Sequence, residues 1–443
     1  MSKKKIAIGL MVIGAIFRLT INLCNVPNNS FDDYLEVIVL FANNVGERPL
    51  PWECWQCYQP PLYFLITGVV FELSSWLTGS DYTAWEIVQL LSALFSIGTL
   101  VVVWKTITLN SKEVSNYHLV ALSLIVVFPR DLYTSAMISS DSMLVFSVST
   151  AIFFFLKWNQ YSRIKYLTLM CAFVIMSALT KQHGLITLIL PLTVLTKSFV
   201  CTWRQRQTIS PVSALIASGT IVISGLDEFW RCMKTGILLV SNQDYFDYAS
   251  NQPPGKVEFV EFFSFRLLDL IAEPLLNEKT CSSFWTVLFA NTWYDYEWRY
   301  VLENHQLTEL IGAVNYVFGA MVSLVFIYGI YHALKGNLIH SYAHFTLVVI
   351  GLLFLFVPMV QTLRFPYFSS MKSLFLIPGV VVFIWFFYLS VQRLKVIERN
   401  KVSFSIISLM LVIGILHLAF ICTNLHLAVN QLSGPLWNLP VNQ

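Results

Sequence analysis

Charge is what this sequence has least of: Asp, Glu, Lys and Arg together make up 12% of its residues, where a soluble chain carries about 25%. Twenty-eight basic residues against 25 acidic ones leave a net charge of only +3. No basic run forms an electrostatic footprint, which argues against a nucleic-acid partner. No cluster of His, Cys, Asp and Glu has the spacing of a metal site. Cys54 and Cys57 form the only C-x-x-C. Without a second pair it is no zinc site, and without a βαβ pattern it is no thioredoxin-type redox site. No inverted or parallel repeat of the kind carriers often show is visible. No small-residue cleavage site follows the basic start and the apolar run from Ile6, so that segment is expected to stay as a signal anchor.

Hydrophobic residues are what remains, at 56%, with aromatics at 15% and a mean hydropathy of +0.66. Apolar stretches of about 17–25 residues can cross a bilayer as helices. The sequence offers 6–24, 85–105, 117–130, 140–157, 166–180, 183–197, 211–225, 308–333, 345–361, 373–391 and 402–424. This predicts an all-α polytopic membrane protein with about eleven spans. A single helix over 166–197 would be about 48 Å long, too long for the hydrocarbon core, so a tight hairpin at Lys181-Gln182 is expected.

Short loops that keep Lys and Arg lie on the cytoplasmic side. Here these are the N-terminus (Lys3, Lys4, Lys5), 105–116, 157–165, 197–206 and 392–401. All fall on one side only if the apolar segment 61–78 does not cross, so it is expected as a juxtamembrane or re-entrant helix. The N-terminus is then cytoplasmic, and the two long loops, 25–84 and 226–307, face outward. Those outer loops are where chemistry is expected.

In the first of them, Tyr34, Val37, Ile38 and Phe41 recur at helical spacing, which places Asp32 and Asp33 at a helix N-terminus. Two readings stay open: a cap and dipole partner, or a carboxylate placed to take a proton from an acceptor hydroxyl. Downstream comes Gln59-Pro60-Pro61-Leu62-Tyr63, which opens an apolar helix. An acidic residue after the first span, a helix ending near Gly46, and then this QPPLY element resemble the GT-C class of polyprenyl-phosphate-sugar-dependent glycosyltransferases. The protein O-mannosyltransferase-like and aminoarabinose-transferase-like branches are the most similar. Phe128-Pro129-Arg130, Ser139-Ser140-Asp141-Ser142, Leu179-Thr180-Lys181-Gln182-His183-Gly184 and Lys372 through Pro378 continue the likeness in order. It covers most of residues 1–200 and thins after 225.

The resemblance implies a GT-C-like bundle with outer juxtamembrane helices. Residues 1–225 would be its transmembrane module, 226–307 a second large outer loop and 308–443 the C-terminal spans. The implied activity is transfer of a sugar from a polyprenyl or dolichyl phosphate to a glycan, lipid or protein hydroxyl, with inversion. Asp32 or Asp33 would be the base, and Arg130, Lys181, Arg364 and Lys372 the cations for the donor phosphate. Asp141, Gln59, Tyr63, Trp293 and Asp295 would contact substrate. Each of the four cations also reads as an interfacial charge snorkelling to headgroups, and Asp141 as a helix cap. The aromatic residues of 226–307 read as a sugar-binding wall or as an interfacial belt. Cys232 and Cys281 offer a further outer-loop disulfide. No cofactor is called for, though a divalent metal is compatible with the chemistry. The family usually has Asp-Glu where this chain has Asp32-Asp33, so the choice of base between the two stays open. Unlike the longer protein mannosyltransferases and the aminoarabinose transferases, no large soluble domain is expected after the spans. This points to a compact enzyme, expected in the bacterial inner membrane instead of the endoplasmic reticulum.

A transporter or flippase of lipid-linked sugars is the rival reading. It would bury ionisable groups in mid-span, whereas Arg18 and Glu86 lie near span ends. The topology is testable: single cysteines at Ser111, Asn159 and Gln205 should stay unlabelled by a membrane-impermeant thiol reagent in intact cells. Labelling of all three from outside would overturn the eleven-span arrangement.

Overall fold

The computed structural model describes residues 2–27, 34–43, 48–205, 211–246, 258–294, 306–335, 342–365 and 370–432. Helix α1 (Lys3–Cys24) sets the pattern for the molecule. It buries Leu10, Gly14, Phe17, Arg18 and Ile21 and exposes Ile8, Val12, Ile16 and Leu23. An apolar outward stripe one helical repeat apart would be a liability in water; facing lipid it needs no cover. No strand occurs among the described residues, as a bilayer solvent requires of a non-barrel chain.

Two short helices follow α1 at its far end: α2 (Tyr34–Asn43) and α3 (Leu62–Thr78). Gly79 ends α3 in the left-handed region (φ 66°) that glycine adopts without penalty. Ser80 then caps α4 (Asp81–Ile107) by accepting the Thr83 N–H at 3.3 Å, so α3 and α4 form a tight hairpin. Helix α5 (Asn116–Val126) stops ahead of Pro129, which begins the short α6 (Pro129–Thr134) at a position where its missing N–H is not needed. Helix α7 (Ser140–Tyr161) is the most enclosed span, packed between α4 and α8 (Ile164–Thr180).

The expected break falls at Lys181. Its extended backbone ends α8, and a 3-10 helix (Gln182–Leu188) turns the chain into α9 (Ile189–Gln205). Helix α10 (Pro211–Thr235) runs ten residues past the predicted end of its span. The predicted span stops at 225, just ahead of the acids, but Asp227 and Glu228 both pair with Arg231 along the same helix. Within the second long loop lies α11 (Phe284–Trp293), and after it come α12 (Gln306–Lys335), α13 (Tyr342–Arg364), α14 (Val380–Arg393) and α15 (Asn400–Leu432). Among the described residues, eight helical stretches are long and apolar enough to cross a membrane. The expected spans at 117–130, 166–180 and 183–197 appear as the shorter or divided helices α5, α8 and α9. The protein is thus an integral, multi-pass membrane protein.

The loops sort by end. Asn116 donates to the carbonyls of Ile397 and Glu398 at 3.3 and 3.0 Å, and Lys197 donates to Asn159 at 3.2 Å. These contacts join the basic loop 105–116 to 392–401, and the end of α7 near 157–165 to α9. At the opposite end, residues 48–58 of the first long loop meet Tyr245 and Phe246 of the second, as described below. Close packing at the α8–α9 break gives a sharp test. A Cβ on Gly184 would lie 2.0 Å from the Ser177 carbonyl oxygen, whereas one on Gly219 would meet nothing within 4 Å. Gly184→Ala should lose about 1–3 kcal/mol or more, and Gly219→Ala should stay within about 0.5 kcal/mol of the parent. Thermal unfolding in detergent would measure both; equal stabilities would contradict the packing.

Candidate functional site

The long-loop end is organised by the N-terminus of α7. Ser139 is the cap: its hydroxyl accepts the Asp141 N–H at 3.2 Å and donates to Asp141 Oδ2 at 2.7 Å. The capping duty is therefore carried by Ser139, and the Asp141 carboxylate is turned toward Lys181. Lys181 Nζ donates to Asp141 Oδ1 and Oδ2 at 2.8 and 3.0 Å, with both side chains buried. The extended backbone of Lys181 makes this reach possible, since a helical residue there would continue α8 away from α7. The Tyr34 hydroxyl stands 3.4 Å from both Lys181 Nζ and Ser140 Oγ. Tyr34 is the first residue of α2 and directly follows Asp32 and Asp33 in the sequence; those two acids lie outside the described residues.

Tyr63 packs edge-on against Tyr34, with ring centroids 6.2 Å apart. Burial, reinforced by Tyr34, holds the Tyr63 phenol well above its ordinary pKa, so it remains a neutral hydrogen-bond donor. Gln59 is also buried. Its amide donates to Tyr58 Oη at 2.6 Å, while its Oε1 has no protein partner among the described residues. The segment leading to it, 48–58, is cross-linked by a Cys54–Cys57 disulfide. Trp52 and Trp55 of that segment contact the rings of Tyr245 and Phe246 in the second long loop.

The other expected cations take different positions. Arg130 is fully buried on α6, next to Asp131, which pairs with Arg18 and accepts from Ser96 at 2.9 Å. Arg364 ends α13 and pairs with Asp244 at 2.8 Å. Lys372 precedes a 3-10 turn, Ser373–Phe375. The ring of Phe375 lies 5.8 Å from Lys181 Nζ and stacks on His183. The sequence reading therefore named Lys181, Asp141 and Tyr63 as separate contacts, and the fold draws them together around Tyr34. Arg364 has its own partner in Asp244. Trp293 is buried between Phe128 and Phe318 on α11, and Asp295 lies outside the described residues. Cys232 is a free thiol on α10, so the suggested Cys232–Cys281 bridge is not formed. Among the described residues no group of three or more His, Cys, Asp or Glu is arranged to hold a metal.

Residue Leu376, next to Phe375, opens onto an apolar cavity of about 650 Å³ between α5, α11, α12, α13 and α14. Leu124, Phe128, Phe289, Trp293 and Phe383 line it. Sequence reasoning missed this cavity, and it also missed the acid–base group Asp227, Glu228, Arg231 and Arg48. A signal for the latter was present: acids three and four residues before an arginine at the end of an apolar run, the spacing of intrahelical pairs.

The Lys181–Asp141 pair yields a stability prediction. Lys181→Met strands a buried carboxylate and should cost about 3–5 kcal/mol, while Lys181→Met combined with Asp141→Leu should recover most of that loss. Denaturation of the purified variants would decide it; a double variant as weak as the single one would show that the pair is not coupled.

No family model and no curated protein sequence matches the chain. Solved structures do match in fold. The archaeal oligosaccharyltransferase AglB from Archaeoglobus fulgidus, determined with an inhibitory peptide and a dolichol-phosphate, aligns with a TM-score of 0.50 at 13% identity. The alignment covers 96% of this chain and 56% of AglB, so the chain spans little more than half of that protein's length. ArnT from Cupriavidus metallidurans bound to undecaprenyl phosphate aligns at TM-score 0.38 and 14% identity, covering 87% of this chain and 77% of ArnT. The arabinosyltransferase EmbB from Mycobacterium smegmatis aligns at TM-score 0.38 and 12% identity, covering 96% and 42%. The likeness to AglB extends over nearly the whole helical bundle: the chain is a polytopic membrane protein with the GT-C fold.

Proposed function

We propose that this protein is a membrane glycosyltransferase that moves a sugar from a polyprenyl or dolichyl phosphate to a hydroxyl on a glycan, lipid or protein. The observation that carries the reading is the junction at Phe375-Leu376. On one side lies the buried Lys181, with Asp141 and Tyr34; on the other opens an apolar cavity between spans. An amphiphile with an apolar chain and an anionic head matches that junction. The fold shared with AglB, whose structure contains dolichol-phosphate, supports the same ligand class.

In this reading the lipid chain occupies the cavity and the phosphate rests near Lys181, Arg130 and Lys372, with Arg364 at the rim. A carboxylate of the Asp32-Asp33 pair removes the proton from the acceptor hydroxyl. The acceptor oxygen attacks C1 of the sugar, the C1–O bond to phosphate breaks, and configuration inverts. The lipid phosphate leaves with its new negative charge met by the cations. Gln59 Oε1 and the Tyr63 hydroxyl offer an acceptor and a donor for sugar hydroxyls. The site faces the outer or lumenal side, with the N-terminus cytoplasmic, in keeping with the basic loops gathered at the other end.

Asparagine keeps the shape and capping oxygen of aspartate but cannot take a proton. If one of Asp32 and Asp33 is the base, its Asn variant should lose turnover by about 10²–10⁴ with the fold intact, with Asp32 the stronger candidate. A purely capping role would leave turnover near normal. Transfer would be assayed with purified protein across a panel of lipid-phosphate sugars, and normal transfer by the Asp32→Asn, Asp33→Asn double variant would sink the mechanism.

A further inference from the structure

At the far end of α10, buried Asp227, Glu228 and Arg231 form with half-buried Arg48 a group of four charges that the reaction scheme does not use. Asp227, Glu228 and Arg231 turn inward, while their neighbours Leu226, Phe229 and Met233 are exposed. Arg231 pairs with Asp227 at 3.0 Å and with Glu228 at 2.5 Å. Arg48 pairs with the other oxygen of Asp227 and lies 4.0 Å above the Trp230 ring. Two arginines and two carboxylates cancel, so the group projects no net charge toward a phosphate. Its remaining bonds go to backbone. Arg231 Nη1 donates to the Tyr58 carbonyl at 2.7 Å, and Glu228 accepts the Leu239 N–H at 2.5 Å.

These backbone bonds have a direction. Tyr58 adjoins Gln59, the start of the QPPLY element. Leu239 adjoins Val240, whose carbonyl accepts from Gln182 at 2.8 Å, and Gln182 adjoins Lys181. One connected path therefore runs from the Gln59 turn, through Arg231 and Glu228, across residues 239–240, to the Lys181 turn. Gln59 lies in the turn ahead of α3, and Lys181 lies in the extended break between α8 and the 3-10 helix; both carry side chains of the proposed site. A planar fork suits this place: guanidinium can meet two acids and a carbonyl at once, which a single ammonium cannot do in the same geometry.

We propose that Arg231 is a positioning residue, set with Asp227 and Glu228 to hold the Tyr58-Gln59 turn in register with the Lys181 turn. It rests on the glycosyltransferase reading only in taking those two turns as parts of the substrate site. It binds no phosphate itself.

The Cys54–Cys57 bridge provides a local reporter, because both sulfurs are buried inside the segment that Arg231 holds. Wild type, Arg231→Lys and Arg231→Ala would be purified in detergent. Reduction of that disulfide by a phosphine reductant would be timed under native conditions, beside thermal unfolding and undecaprenyl phosphate binding. Arg231→Lys, which keeps the charge and the fold, should be reduced at least about tenfold faster, the change that 1.4 kcal/mol of local opening produces. Its melting temperature and its lipid-phosphate affinity should stay close to wild type. In Arg231→Ala, guanidinium chloride at millimolar concentration should slow reduction again, whereas sodium chloride of equal ionic strength should not. A reduction rate equal to wild type in both variants would overturn the proposal. So would a loss of undecaprenyl phosphate affinity with an unchanged reduction rate, since that would make Arg231 a phosphate ligand. None of these readouts measures transfer, so they stand or fall apart from the assay of Asp32 and Asp33.

Discussion

A guanidinium buried in a helical bundle has to have its donors met, because it cannot shed its proton. Arg18 is such a group, with no exposed surface. It donates to Ser96 at 2.7 Å, to the Gly14 carbonyl at 3.0 Å and to the Ile125 carbonyl at 3.0 Å, and it pairs with Asp131. That one side chain fixes α1 against α4, against the end of α5 and against α6. Removing either partner of a buried pair leaves the other charge uncompensated, at a cost of about 3–5 kcal/mol. The arrangement around it is correspondingly narrow. Gly14 leaves room for the guanidinium, since a Cβ there would come 3.4 Å from Arg18 Nη1 and closer still to Leu100.

The consequences spread along the chain. With α6 held, the loop that follows is held too: Asn22 donates to the Ser135 carbonyl at 3.2 Å, and Asn25 and Gln89 to the Ala136 carbonyl at 2.6 and 2.7 Å. That loop delivers Ser139 to the start of α7, Ser139 orients Asp141, and Asp141 receives Lys181. The site is thus the last link in a series of satisfied polar groups that begins inside the first span. Burial raises the stakes at every step, because low dielectric strengthens a completed network and penalises an incomplete one. Apolar surface is used differently. It faces outward to lipid on most helices, and between α5 and α11–α14 it surrounds empty space large enough for part of a lipid chain.

Local pattern and loop charge were enough to read much of this. Mean hydropathy and scarce charge decide the solvent, since no soluble core accounts for so many long apolar runs. The break at Lys181 followed from helix length, and the helix through Tyr34, Val37, Ile38 and Phe41 from apolar spacing. The gathering of basic loops at one end followed from counting Lys and Arg. Where local pattern misled, a local cause is visible. Helix α10 outran its predicted end because its charges are neutralised along one helical face, and α5 fell short because Pro129 ends it.

Partnership was beyond the sequence. Lys181 and Asp141 are forty positions apart, Arg18 and Asp131 more than a hundred, and Arg48 and Asp227 nearly two hundred. Nothing in spacing says that these charges would meet, because helical periodicity fixes which face a residue occupies and not which helix packs against that face. The same holds for the cavity, which exists only where five elements fail to fill the space between them. The sequence by itself determined the solvent and most of the membrane helices, since these depend on the transfer of individual residues between water and lipid. Tertiary structure alone decided which charges are paired and where the apolar cavity lies, because pair energies and unfilled space depend on distance and burial that only packing sets.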